Sequence, residues 1–191
     1  MTTKDRFDIR NYLRIYNTID SNLCDMVVSK LASVETQSHK WYVAEDDSHE
    51  VRDNEFDVYR GDIYRQEIAE SIGQAVRNYM LDIREMTGLR LKLPYGFGYP
   101  RYNIMSEGHG MDKHYDHIYS AYPGEVKGIP VLTVLGLLSD SYQGGEFVMF
   151  EDSVIELSKG DILVWPSLFM YPHGVKKITK GTRHTFVAWG S

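Results

Sequence analysis

After Leu93-Pro94 the chain breaks into short apolar or alternating segments separated by Gly, Pro and Asp, and this rhythm confines the C-terminal half to antiparallel β-structure. The segments are 98–105, 113–119, 131–138, 146–150, 161–165, 174–178 and 182–189. Short strands at this spacing predict a double sheet or barrel of the jelly-roll kind. Gln143-Gly144-Gly145 and Ser158-Lys159-Gly160-Asp161 supply turns between them.

The N-terminal half follows a different period. Asp20 or Ser21 caps a predicted helix over 22–32, with Leu23, Met26, Val27 and Leu31 on one side. A second helix is predicted over 63–86, where Ile68, Ile72, Ala75, Val76, Tyr79, Met80 and Ile83 recur near a 3.6-residue period. Residues 40–44 have strand character, and the polar, acidic stretch 45–56 reads as a surface loop and candidate substrate lid. The expected fold class is α+β with a mostly β core. A mostly helical support region over 1–93 packs on one sheet of a jelly-roll core over 94–191, the whole forming a single domain.

The lone Cys24 falls on the apolar side of the first helix, which makes it a packed hydrophobe rather than a nucleophile. A formal charge of −6 gives no bulk attraction for a phosphate backbone, so nucleic acid is disfavoured as a partner. No run of about 18 apolar residues is present to span a bilayer, and the charged stretch 1–10 is unlike a secretion signal. A cytoplasmic location is the expectation.

The chemistry concentrates in His114-Tyr115-Asp116. In an extended strand the side chains at i and i+2 share a face, so His114 and Asp116 can offer an imidazole nitrogen and a carboxylate oxygen to one ion while Tyr115 faces away. His117 has the opposite parity. His173, at the start of a later strand, can return to the same barrel mouth as a third ligand. Two His and one carboxylate leave further metal positions open, the set used by non-haem Fe(II) oxygenases and also by zinc hydrolases. His39 and His49 lie in polar stretches and are expected at the surface. Arg183, Thr185, Val187 and Trp189 share one parity on the last strand, lining up a guanidinium, a hydroxyl and an indole. A buried Arg fork suits a carboxylate.

These stretches together resemble the Fe(II)/2-oxoglutarate-dependent dioxygenases, and within them the prolyl 4-hydroxylase-like group. The likeness runs over about 97–190: Tyr102 in PRYNIMSEGHG, His114 and Asp116 in KHYD, Thr133 in VLTVLGLL, Gly144-Gly145-Glu146 in QGGEF, Gly160-Asp161, His173-Gly174-Val175, Gly181-Thr182-Arg183 and Trp189 follow the family's order. A weaker likeness touches TIDSNLCDMVVSKL.

The resemblance implies a double-stranded β-helix with His114, Asp116 and His173 as iron ligands. Arg183 would pair with the far carboxylate of 2-oxoglutarate, and Tyr102 and Thr133 would line the co-substrate pocket. Trp189 would close that pocket or touch substrate. Thr185 joins the co-substrate set on strand parity. The implied reaction consumes 2-oxoglutarate and O2, releases succinate and CO2, and hydroxylates an unactivated C–H, with ascorbate as an accessory reductant. A protein or peptide substrate is favoured, prolyl positions included, with 118–130 as a second candidate flap. A free amino acid or small metabolite is the alternative, and a zinc hydrolase or a non-catalytic metal-stabilised binding module are rival classes. The sequence departs from relatives at Met111, where a tyrosine often stands, and at Leu137, where some relatives have one.

Overall fold

The structure is a computed structural model and describes residues 8–43, 48–52, 56–90, 92, 94, 96–116 and 130–191. Its largest sheet has seven strands, in the order β1 (Arg14–Asn17), β12 (Asp161–Pro166), β8 (Leu132–Leu137), β15 (Arg183–Gly190), β6 (Arg101–Met105), β5 (Asp57–Arg60) and β2 (Gln37–Ser38). Four strands form a second sheet: β11 (Ser153–Val154), β10 (Phe147–Met149), β13 (His173–Val175) and β7 (Met111–His114). Two small ladders complete the architecture, β14 (Ile178–Gly181) with β9 (Tyr142–Gly144), and β3 (Trp41–Val43) with β4 (Ser48–Glu50). Pairing is antiparallel throughout these ladders.

Cross-strand partners share a face, so the registers Tyr59↔Tyr102↔Phe186 and Trp165↔Thr133↔Trp189 sort the large sheet into two sides. The outer side packs on the helices. Helix α1 (Ser21–Leu31) starts at Asp20, whose carboxylate accepts from the backbone N–H of Asn22 at 2.9 Å and of Leu23 at 3.3 Å. Helix α2 (Arg65–Thr87) ends at Gly88, whose φ of 74° places it in the left-handed region that closes a helix without a Cβ clash. Leu23, Cys24, Val27 and Leu31 of α1 join Ile68, Ile72, Val76, Tyr79 and Ile83 of α2 against Val134, Ile162, Val164, Phe186 and Ala188. Each such buried aliphatic or aromatic side chain contributes about 1.5–3 kcal/mol by leaving water. The inner side faces the smaller sheet, with Met105, Leu135, Leu163 and Trp165 packed against Phe147, Met149 and Val175.

Several expectations are corrected. The 1–93 region is not only a helical layer, because β1, β5 and β2 extend the large sheet. These are segments of four residues or fewer, too short to show a period by themselves. Part of the stretch read as a loop, 48–50, is the strand that pairs with Trp41–Val43; the rest of that candidate lid lies largely outside the described residues, as do His117 and the flap 118–130 apart from its last residue. His39 is buried rather than solvated, its ring stacked on Phe56 at 4.5 Å. None of the described helices is long and apolar enough to cross a membrane.

Candidate metal and co-substrate site

His114 ends β7 and lies opposite His173 in the register with β13, so adjacent strands of the smaller sheet bring the two rings to a centroid distance of 4.4 Å. Asp116 comes from beyond the strand end, not from the ladder itself, yet its carboxylate reaches between them. His114 Nε2 lies 3.8 Å from Asp116 Oδ1, and His173 Nε2 lies 3.7 Å from Asp116 Oδ2. One ligand atom from each residue lies within 4.8 Å of the others. His114 Nδ1 faces the Asp112 carbonyl at 2.9 Å and His173 Nδ1 the Tyr171 carbonyl at 3.0 Å. A carbonyl accepts only, so each Nδ1 carries the proton and each Nε2 presents a lone pair to the shared space. Burial, and next the neighbouring His173, push the His114 imidazole down to about 4, which keeps it neutral and fit for a cation.

The carboxylate is held from behind. Thr133 donates its hydroxyl to Asp116 Oδ2 at 2.9 Å and lies 2.6 Å from the Ser167 hydroxyl. Thr133 is fully buried on β8, behind Asp116, and is not among the residues that line the cleft. Around the histidines, Trp165 meets the His173 ring edge-on at 5.1 Å and Trp41 meets His114 at 5.2 Å. These aromatic walls restrict how the rings can turn.

Arg183 opens β15, is 1% exposed, and has no hydrogen-bond partner for Nε or Nη1. Desolvation lowers its pKa, while the charge interaction with the nearby Tyr142 phenol acts the other way. Tyr142 thus supplies a phenol beside the guanidinium. Gly145 makes room for this arginine: its φ is 67°, and a Cβ there would lie 3.2 Å from Arg183 Cδ and 2.2 Å from Ile178 Cδ1. Thr185 and Trp189 follow on the same face of β15, and Thr185 Oγ1 and Trp189 Nε1 are likewise buried without partners. All three line one narrow cleft with His114, Asp116 and His173. A buried guanidinium and hydroxyl left open together suit a carboxylate, and the three convergent ligand atoms suit a divalent metal.

Tyr102 does not belong to this cleft. It is fully buried on the outer face of the large sheet, where its hydroxyl donates to the Ile63 carbonyl at 2.5 Å and its ring packs against Phe186. The neighbouring Arg101, Asn103 and Met105 face the cleft instead. Sequence alternation separates Arg-Asn-Met from Tyr-Ile in RYNIM, but does not say which set points inward. Met111 also lines the cleft.

Residues 98–191 match the sequence profile of the 2OG-Fe(II) oxygenase superfamily. Residues 98–191 belong to this superfamily. Its structure is similar to a prolyl hydroxylase from Trichoplax adhaerens solved in complex with a hypoxia inducible factor oxygen degradation domain peptide fragment, with TM-score 0.66 and 17% identity over 94% of this chain and 83% of that one. A prolyl-4-hydroxylase from Pseudomonas putida gives TM-score 0.62 and 17% identity, covering 93% and 91%. The viral collagen prolyl hydroxylase of Paramecium Bursaria Chlorella virus-1, as its 2OG complex, gives 0.60 and 13%, covering 93% and 94%. At these identities the likeness is one of fold, the double-stranded β-helix. No curated protein matches the chain in sequence. The superfamily's 2OG-Fe(II)-dependent oxygenase chemistry goes with the His-x-Asp…His triad found here, and together they imply Fe(II) and 2-oxoglutarate.

Proposed function

We propose that His114, Asp116 and His173 hold Fe(II), that Arg183 and Thr185 bind the far carboxylate of 2-oxoglutarate, and that the protein hydroxylates an unactivated C–H on a protein or peptide, prolyl positions included. The observation that carries this reading is the cleft itself: three metal-ligand atoms and a fully buried guanidinium with two unpartnered nitrogens open onto the same space. Bound iron and 2-oxoglutarate supply the oxidising power of the superfamily. The chain's own groups do the positioning. The Asp112 and Tyr171 carbonyls keep the two Nε2 lone pairs directed inward, Thr133 fixes Asp116, and the walls of Trp165, Phe147 and Trp189 exclude water that would divert the oxidant. Fold likeness to prolyl hydroxylases supports the peptide reading, one of them solved with a peptide fragment.

Anaerobic titration with Fe(II) and 2-oxoglutarate tests the assignment. The expected result is a weak visible charge-transfer band, followed on admission of O2 by succinate formation. Metal binding without either the band or succinate would refute it in favour of a zinc-type or purely structural site.

A further inference from the structure

Arg101 has no task in that scheme. It projects from β6 into the cleft that holds His114, Asp116 and His173, with only 9% of its surface exposed. Its Nε donates to Asn103 Oδ1 at 3.0 Å, and its guanidinium carbon lies 5.2 Å from the centre of the Trp189 ring. Among the described residues no carboxylate forms an ion pair with it; Asp116 attracts it only from farther off. Arg60 stands directly opposite in the β5–β6 register, on the same face of the sheet, and forms no ion pair among the described residues either. Like charges facing each other across a ladder are destabilising, and a buried cation without a partner is more so. Burial pushes Arg101 down to about 10, and Arg60 acts in the same direction. The arrangement becomes favourable when an anion enters.

The charges of the loaded site agree. Asp116 and the two carboxylates of 2-oxoglutarate fall one negative charge short of a divalent metal with Arg183 and Arg101. We infer that the substrate itself carries a carboxylate, which docks on Arg101 with Arg60 beside it, next to the C–H that is oxidised. Asn103 fixes the guanidinium plane and Trp189 covers its face, so the fork is presented in one orientation. This inference rests on the proposed oxygenase reading and names its substrate class: a molecule with an anionic carboxylate near the target carbon. Two sources share that chemistry, the α-carboxylate of a free amino acid and an acidic side chain beside the target in a peptide.

The test compares substrate-stimulated succinate release with the twenty amino acids against their amides, and with N-acetyl-Xaa-aspartate amide dipeptides against the matching asparagine pool. An acid member favoured by about tenfold or more in kcat/KM is expected, because a site built to pair a polar group rejects the analogue lacking it. Preference in the amino-acid arm identifies the α-carboxylate, and preference in the dipeptide arm an acidic side chain. R101Q should remove most of the acid-over-amide preference. R60Q, at an exposed position that tolerates change, should reduce it by less and keeps the test decisive should R101Q fail to fold. Equal use of acids and amides, stimulation by neither, an unchanged preference in the folded variants, or a rise in the KM for 2-oxoglutarate as large as the lost preference would each overturn the inference. If the unsubstituted protein shows no iron-dependent 2-oxoglutarate decay at all, the oxygenase reading fails and takes this inference with it.

Discussion

The two faces of the seven-stranded sheet are buried alike and built differently. On the outer face Val134, Ile162, Val164, Phe186 and Ala188 meet the helices, and the polar atom of Tyr102 is satisfied by the Ile63 carbonyl. On the inner face the same strands carry Arg101, Asn103, Thr133, Arg183, Thr185 and Trp189. Three of the four buried side chains with unpartnered polar atoms among the described residues, Arg183, Thr185 and Trp189, lie on this inner face. Burying a polar group without a partner costs about 1–3 kcal/mol, so the inner face forgoes stability that the outer face keeps. Alternation along one strand therefore divides folding from chemistry at single-residue spacing.

The sharpest way to break this contrast is at the triad. His114→Ala or Asp116→Ala should abolish iron-dependent succinate formation, a fall of about a thousandfold or more, by removing a ligand that the remaining pair cannot replace. Arg183→Gln comes next. It keeps a hydrogen-bonding side chain but loses the buried charge, and the KM for 2-oxoglutarate should rise by about 30-fold or more, the scale of breaking a desolvated charge pair. Steady-state assays with varied 2-oxoglutarate check both. Retained turnover in the triad variants, or an unmoved KM in Arg183→Gln, would mean that the inner face does not do this chemistry.

How much of this was legible beforehand depended on whether a residue's role came from its own strand or from what it meets. Both helices were readable from their 3.6-residue period and most C-terminal strands from apolar segments cut off by Gly, Pro and Asp, and Arg183, Thr185 and Trp189 were readable because parity alone sets them on one face. The side on which Tyr102 falls was not, since RYNIM alternates equally well either way up and only docking of α2 decides which set is covered. Thr133 was expected to line the co-substrate pocket, and its hydrogen bond to Asp116 was not readable because Asp116 comes from beyond a different strand. Arg60 opposite Arg101 and Tyr142 beside Arg183 arise from pairing distant segments, which no single stretch encodes.

Smaller effects sharpen the comparison. Thr133→Val keeps the shape on β8 but removes the hydroxyl that donates to Asp116, and iron affinity should fall by about 10–100-fold while the fold is retained. Metal titration followed by residual activity reads this out; unchanged affinity would show that Asp116 needs no support from behind. The metal-free protein should also respond to acid through its site-side histidines. Burial holds His114 at about 4 and His39 at about 3, against an ordinary value of 6.5. Their folded values lie below the unfolded ones, so the unfolded chain takes up protons first as pH falls. The stability they contribute is complete above about 6.5 and is lost progressively towards pH 4, and urea midpoints measured across that window should decline. A flat profile would mean that these rings are solvated when the metal is absent.

The smallest expected effect is the one that best separates the two faces. Tyr102→Phe removes a hydroxyl whose partner is the Ile63 carbonyl, in the connection leading into α2, and touches nothing in the cleft. The loss is one hydrogen bond, about 1 kcal/mol of stability, partly offset because the ring itself stays packed against Phe186. The KM for 2-oxoglutarate and the iron affinity should not change. Were Tyr102 a co-substrate residue, the same substitution would raise that KM and leave the urea midpoint alone. The two readings thus predict opposite outcomes in a pair of measurements on one variant, and the position of the hydroxyl on the helix side of the sheet favours the first.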